Sequence, residues 1–161
     1  MKKLLVLTTG GTLDKVYFDA LSEFQVGEPV AANILMAMNV NFEYEVIEIC
    51  RKDSLELTEQ DRDKLKTTIE SSDANHVLIT HGTDTMVDSA NHIGVQANKV
   101  IVFTGAMQPA AFSNTDAVFN IGTAIGAFSV AQSGTYIAMS GQVYPAGDVF
   151  KNYDSRRFES K

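Results

Sequence analysis

The chain has 161 residues, 45% of them apolar and 20% charged, a balance that suits one domain with a real hydrophobic core. Its formal net charge is −7, and its basic residues are scattered, with pairs such as Arg156–Arg157 too small to make a patch, so repulsion from phosphate argues against a nucleic-acid partner. No stretch approaches the roughly 18 apolar residues a membrane helix needs, and the single Cys50 allows no internal disulfide, which points to the cytoplasm.

Met1-Lys2-Lys3 followed by Leu4–Leu7 superficially suggests a secretion signal. The apolar run is too short, and Thr8-Thr9-Gly10-Gly11-Thr12 replaces a small-residue cleavage site, so a first β-strand is predicted. Asp14 to Glu28 has no clean period and is expected to be either a packed hairpin or a lid over a site, with Gly10, Gly11 and Gly27 as hinges. Pro29 then opens a helical pattern through Val30, Ile34, Leu35 and Met38. Tyr44–Ile49 reads as the second strand. Thr58-Glu59-Gln60-Asp61 offers a capping box that leads to Leu65 and Ile69 on one helical face.

His76–Ile79 is the third strand, and Met86, Ala90, Ile93 and Ala97 repeat at helical spacing after it. Val100–Phe103 follows as the fourth. Ser113-Asn114-Thr115-Asp116 resembles a second capping box, ahead of Val118, Ile121, Ile125 and Phe128. Gly122 and Gly126, one turn apart in that helix, are expected to permit close packing. Tyr136–Met139 is the last predicted strand. Strand and helix alternate throughout, so the predicted fold class is α/β: three layers, with a mainly parallel, flavodoxin- or Rossmann-like sheet covered on both faces.

Three strands end in polar, glycine-bearing clusters: Thr8–Thr12, Thr80–Thr85 and Thr104–Pro109. In a parallel sheet all three emerge at the carboxyl edge, where open α/β folds bind ligands. Turn chemistry alone explains any one of them, but not three Thr-rich clusters on a single edge. The chain has no G-x-G-x-x-G, no phosphate-binding G-x-x-x-x-G-K-[ST] and no G-x-S-x-G elbow. His76, His81 and His92 lack metal-ligand spacing. Neither cofactor nor metal is therefore expected, and hydroxyls are left as the candidate nucleophiles.

Thr9-Gly10-Gly11-Thr12-Leu13 after the first strand, with His81-Gly82-Thr83-Asp84-Thr85-Met86 some seventy residues later, closely resembles the bacterial-type L-asparaginase family. The likeness continues through Asp53–Thr58, Thr104–Pro109 and Gly147–Lys151, and so covers nearly the whole chain. It extends only to the family's N-terminal domain, and the chain is expected to be the short, single-domain branch.

That resemblance implies hydrolysis of L-asparagine, possibly also of L-glutamine, through a threonine acyl-enzyme. It makes Thr12 the nucleophile, with Thr83, Asp84 and Lys151 as the second catalytic group. Gly11, Ser54, Gly82, Thr83 and Asp84 then contact substrate. A hydroxyl–lysine–carboxylate relay can supply the base a weak hydroxyl nucleophile needs. Backbone N–H groups near Gly82 or Thr83 would serve the oxyanion.

Longer relatives use a loop tyrosine where Phe24 aligns here, and Tyr17 is the substitute this sequence offers. Without a C-terminal domain the site would be less enclosed, so a weaker apparent affinity is expected. Ala110-Ala111-Phe112 and Gly126–Ala131 are expected to build a homodimer interface. Two other functions fit less well. A glutaminase subunit of a tRNA-dependent amidotransferase carries domains for which 161 residues leave no room. A non-catalytic, flavodoxin-like binding module would leave Lys151 without a task.

Overall fold

The computed structural model describes residues 3–18 and 21–161. A six-stranded sheet has the order β4-β1-β5-β6-β7-β8, where β1 is Lys3–Gly10, β4 Glu43–Lys52, β5 His76–Thr80, β6 Val100–Thr104, β7 Gly134–Met139 and β8 Gln142–Pro145. The first five run parallel and β8 pairs antiparallel with β7. Along the chain, each parallel strand is joined to the next by a crossover through a helix: α1 (Ala31–Ala37), α2 (Glu59–Ser71), α3 (Met86–Ile93) or α4 (Ala117–Ala127).

The pleat of β1 divides the core in two. Leu5 and Leu7 pack with Leu65 and Ile69 of α2 and with Met86, Ala90 and Ile93 of α3. Leu4 and Val6 face the other way, against Ala31, Ile34 and Leu35 of α1 and Ala117, Ile121, Ala124 and Ala127 of α4. Both faces are covered, so the inner strands are mostly apolar, as predicted, with buried threonines such as Thr8, Thr80 and Thr104 toward their carboxyl ends. Edge strand β4 departs from this: Glu43, Glu45, Glu48 and Arg51 alternate along it, and Arg51 is paired to Glu48 and Glu28.

All five predicted strands are present, each somewhat longer than its apolar run. Three smaller strands were not foreseen as such. β8 returns through a two-residue turn at Ser140 and Gly141, both at positive φ. β9 (Val149–Asn152) and β10 (Arg157–Ser160) form a separate hairpin that buries Val149 and Phe158. Between β1 and α1, β2 (Lys15–Phe18) pairs with β3 (Glu23–Val26), so the aperiodic 14–28 segment is a hairpin.

The Thr58 capping box forms as read, with Asp61 N–H on Thr58 Oγ1 and Thr58 N–H on the Asp61 carboxylate. The second box does not. Asp116 is the N-cap residue of α4 and makes no cap bond, because its carboxylate is taken by Met107 N–H and Gln108 N–H. Helix α3 stops at Gly94, leaving Ala97 outside it. Gly122 and Gly126 are exposed, with nothing within 4 Å of where a Cβ would stand, so they serve no close packing within the chain. Met38 and Val118 are likewise exposed, off the buried faces of α1 and α4.

Candidate active site

The helices that follow β1 and β5 lie on opposite faces of the sheet, although the two strands are neighbours. Their outgoing loops therefore depart to opposite sides of the carboxyl edge, which makes this the switch point where doubly wound sheets bind ligands. Gly10 and Gly11 leave β1 at φ +97 and +86. A Cβ on Gly11 would overlap the Gly82 backbone, and one on Gly82 would lie 2.6 Å from Ser54 Cβ. The loops after β1 and β5 thus meet backbone on backbone, which only glycine permits, and Gly82 leaves room for the Ser54 side chain of the loop after β4. Thr12 and Thr83 each follow directly on this contact.

Thr12 opens a short 3-10 turn over Thr12–Asp14 and is half-buried, and its hydroxyl has no partner among the described residues. Ser54 is buried under the Asp53 capping box, and its carbonyl accepts from the Thr85 hydroxyl at 2.7 Å. Asp53 is held by Lys15 at 2.8 Å, which ties the foot of the hairpin to the Ser54 loop. Hairpin capture by Lys15 also keeps the Asp53 carboxyl below its ordinary range, against the opposing effect of burial.

Lys151 comes from β9, far along the chain, and reaches the loop after β5. Its Nζ donates to Thr83 Oγ1 at 2.8 Å and to Asp84 Oδ1 at 2.6 Å. The lysine side chain is 12% exposed and the aspartate 34%. With Thr83 Oγ1 accepting from Lys151, its own hydrogen finds only Met107 Sδ, at 3.9 Å. A thioether is a weak acceptor, so the hydroxyl proton is free for another partner. Asp84 is spent on this lysine and does not cap α3, whose N-cap is Thr85.

Of the residues singled out from sequence, Thr83, Asp84 and Lys151 meet in one bonded cluster, and Gly11, Gly82 and Ser54 form its floor. Tyr17 sits on the hairpin, 54% exposed and directly across from Phe24, with their rings 5.4 Å apart edge to face. Phe24 in turn rests on Phe112 at 5.7 Å. The tyrosine bonds to none of the cluster.

Sequence reading missed two supports. Tyr153 lies over Lys151, ring centroid 4.9 Å from Nζ, a cation–π contact two residues further along the same chain. Asn120 of α4 bonds Gly105 O and the Asp116 carboxylate and accepts from Ser140 N–H, which pins the loop after β6. A buried asparagine in an otherwise apolar helical stripe is the signal that marks it.

Elsewhere the chemistry is thinner. A cleft of about 720 Å³ opens at the opposite, amino edge beside Lys3, Glu45 and His76, but its hydroxyls Thr68 and Ser71 are bonded to carbonyls of their own helix. Burial pushes the Cys50 thiol up to about 11 and leaves it a poor nucleophile. Among the described residues no helix is long and apolar enough to cross a membrane.

Comparison with known proteins places this architecture. The solved L-asparaginase I from Vibrio cholerae O1 biovar eltor superposes with TM-score 0.86 at 19% identity, over 99% of this chain and 51% of that one. A probable cytoplasmic L-asparaginase from Campylobacter jejuni superposes with TM-score 0.82 at 22% identity, over 99% and 52%. At such identities these likenesses establish the fold. Among curated proteins, the glutaminase-asparaginase of Acinetobacter glutaminasificans is 29% identical over 92% of this chain and 49% of its own. A probable periplasmic L-asparaginase of Haemophilus influenzae is 37% identical over 46% of this chain and 23% of its own. The chain therefore spans about half the length of the relatives it matches across most of its residues. The family model for the asparaginase N-terminal domain matches residues 3–160, and with it the chain belongs to the asparaginase family.

Proposed function

We propose that this chain releases ammonia from L-asparagine, with Thr12 as nucleophile and Thr83, Lys151 and Asp84 as its proton relay. The observation that carries the reading is the buried Lys151 amine held between the Thr83 hydroxyl and the Asp84 carboxylate, one residue from where the Gly11 and Gly82 backbones touch. An amine so buried and bonded has been removed from the solvated role of an ordinary lysine.

Thr12 Oγ1 attacks the side-chain carboxamide carbon while its proton passes to the Tyr17 oxygen, which gives up its own hydrogen in turn toward the relay. The tetrahedral oxyanion is met by backbone N–H groups of the loop after β5. Collapse breaks the C–N bond, and the relay delivers a proton to the departing nitrogen as ammonia. Water then attacks the Thr12 ester, returns the threonine hydroxyl and releases aspartate. Ser54 and Asp84 face the α-carboxylate and α-amino ends of the substrate, and Gly11 and Gly82 let its backbone-like groups approach closely.

Glutamine is a second substrate in this proposal, because a relative that aligns with 92% of the chain is named a glutaminase-asparaginase. A cytoplasmic location and a homodimer complete it. The location rests on the lone, half-buried Cys50, and the dimer on exposed apolar side chains such as Phe112, Phe119 and Val130.

Ammonia release measured with asparagine, glutamine and a simple amide lacking the α-groups tests the whole reading. Asparagine should be turned over fastest, and Thr12→Ala should abolish turnover while leaving the circular-dichroism spectrum unchanged. Full turnover in that variant removes the nucleophile.

A further inference from the structure

His81 is fully buried at the end of β5, yet none of the chemistry above uses it. Its ring lies 2.7 Å by Nδ1 from Gly82 O and 2.8 Å by Nε2 from Ser89 Oγ of α3. Ser89 Oγ is also 3.0 Å from Arg62 Nε of α2. The hydrogens along this chain have one consistent arrangement. A carbonyl oxygen only accepts, so Nδ1 carries the ring hydrogen. Nε2 is then the bare nitrogen, and the Ser89 hydroxyl donates to it. The serine oxygen is left to accept from the Arg62 guanidinium, which can only donate. Burial first, and the Arg62 charge second, hold the ring at about 4, so it stays neutral through the physiological range.

The direction of one carbonyl decides that of the next amide. The described residues contain no cis peptide, and in a trans peptide the C=O and the following N–H point to opposite sides. Fixing Gly82 C=O toward His81 therefore turns Thr83 N–H away from the ring. No acceptor for that N–H is found among the described residues. Gly82 itself is closely packed, with Gly11 against its N and Cα and Ser54 beside its Cα, so the start of this peptide is fixed in place.

We propose that His81, locked as the Nδ1–H tautomer by Ser89 and Arg62, is a positioning residue that aims the Thr83 amide at the developing oxyanion. The inference rests on the amidohydrolase reading and deepens it: the side chains of α2 and α3 set the direction of a backbone donor that acts on the substrate carbonyl. Donors aimed at charge that appears only in the transition state act on kcat and not on KM.

Two substitutions separate aiming from mere filling of space. Asparagine places its amide nitrogen near the position of Nδ1 and can still donate to Gly82 O. Glutamine reaches the position of Nε2, keeps the Ser89 contact and loses that donation. If His81 aims the peptide, His81→Asn keeps kcat for asparagine within about tenfold of the parent, and His81→Gln loses about a hundredfold or more, both with KM little changed. A packing role predicts the reverse order, since glutamine is nearer histidine in volume. Ser89→Ala removes only the tautomer lock in a helix that tolerates alanine, and should lower kcat severalfold without altering KM.

Nitrogen-15 NMR of the parent protein should show one neutral, Nδ1-protonated ring down to about pH 5. Equal activity of the asparagine and glutamine variants, a better glutamine variant, unchanged kcat in Ser89→Ala, or a ring protonated at Nε2 overturns the proposal. A parent protein that releases no ammonia from asparagine or glutamine overturns the amidohydrolase reading and the role of His81 with it. Loss of the His81 result alone leaves the Thr12 chemistry standing.

Discussion

Tyr17→Phe is the sharpest single perturbation of the proposed mechanism. The ring is 54% exposed, its hydroxyl bonds to no described residue, and its packing against Phe24 is ring on ring. Removing one exposed oxygen should change stability by no more than about 0.5 kcal/mol. A group that accepts the nucleophile's proton contributes about a hundred- to ten-thousandfold in rate, equivalent to about 3 to 5 kcal/mol of barrier. The two effects differ by so much that steady-state kinetics beside a thermal melt separates them cleanly.

kcat for asparagine should fall at least a hundredfold, with KM and melting temperature nearly unchanged. A second step sharpens the test. Tyr17 and Phe24 are paired across the hairpin and share a face, so Tyr17→Phe combined with Phe24→Tyr moves the hydroxyl by one strand without leaving the lid surface. That double variant should regain at least tenfold over Tyr17→Phe. Parental kcat in Tyr17→Phe refutes the assignment, whatever the double variant does.

Lys151→Met should lower kcat by about a hundredfold or more. Asp84, a third exposed, is rehydrated when its partner leaves, so the melt should shift only modestly; parental kcat would remove the relay. Gly11→Ala forces a Cβ into the Gly82 backbone at φ +86, which should cost roughly 2 to 4 kcal/mol and lower the melting temperature by about 5 to 15 °C. A melt within 1 °C of the parent, about what a neutral change gives, would mean that the loops do not touch.

Asp14 supplies a pH dependence. It is 1% exposed, accepts Val30 N–H on one carboxylate oxygen and leaves the other without a partner, and burial raises its pKa from 3.8 to about 6. The folded state therefore binds a proton that the unfolded state has released, so this contribution is present below pH 4 and is lost as pH rises through 6. The ionised residue costs up to about 3 kcal/mol at neutral pH by that shift. Asp14→Asn should thus gain on the parent between pH 4.5 and 7.5 in urea unfolding, and a constant difference across that range would refute the reasoning.

The parallel core was legible because its strands are covered twice and carry an uninterrupted apolar signal, as Val77–Ile79 and Ile101–Phe103 do. The candidate site residues in the loops after β1 and β5 were noticeable because Gly and Thr there form dense local clusters. What failed was local reading overruled by distant partners. Ser113–Asp116 has the letters of a capping box, but Asp116 is captured by amides of the loop after β6, and nothing in its own neighbourhood announces that. Gly122 and Gly126 have a packing spacing on a face that meets no other part of the chain. β9 and β10 carry exposed and charged residues between Val149 and Phe158, too weak an alternation to mark strands. Lys151 was traceable only through resemblance, since a lysine on a short strand has no local signature. His81 was weighed only as a metal ligand, and its ring bonds to Gly82 in the loop after β5 and to Ser89 of α3, which in turn accepts from Arg62 of α2.

Touching glycines also limit how such a site can change. With Gly11 seated on the Gly82 main chain and Gly82 on the Ser54 side chain, the floor offers almost no side chain to vary besides that one serine. New substrate preferences must be written elsewhere, on the hairpin that carries Tyr17 and Phe24 or on the segment around Met107. The reactive hydroxyls keep their spacing while the walls around them are free to diversify.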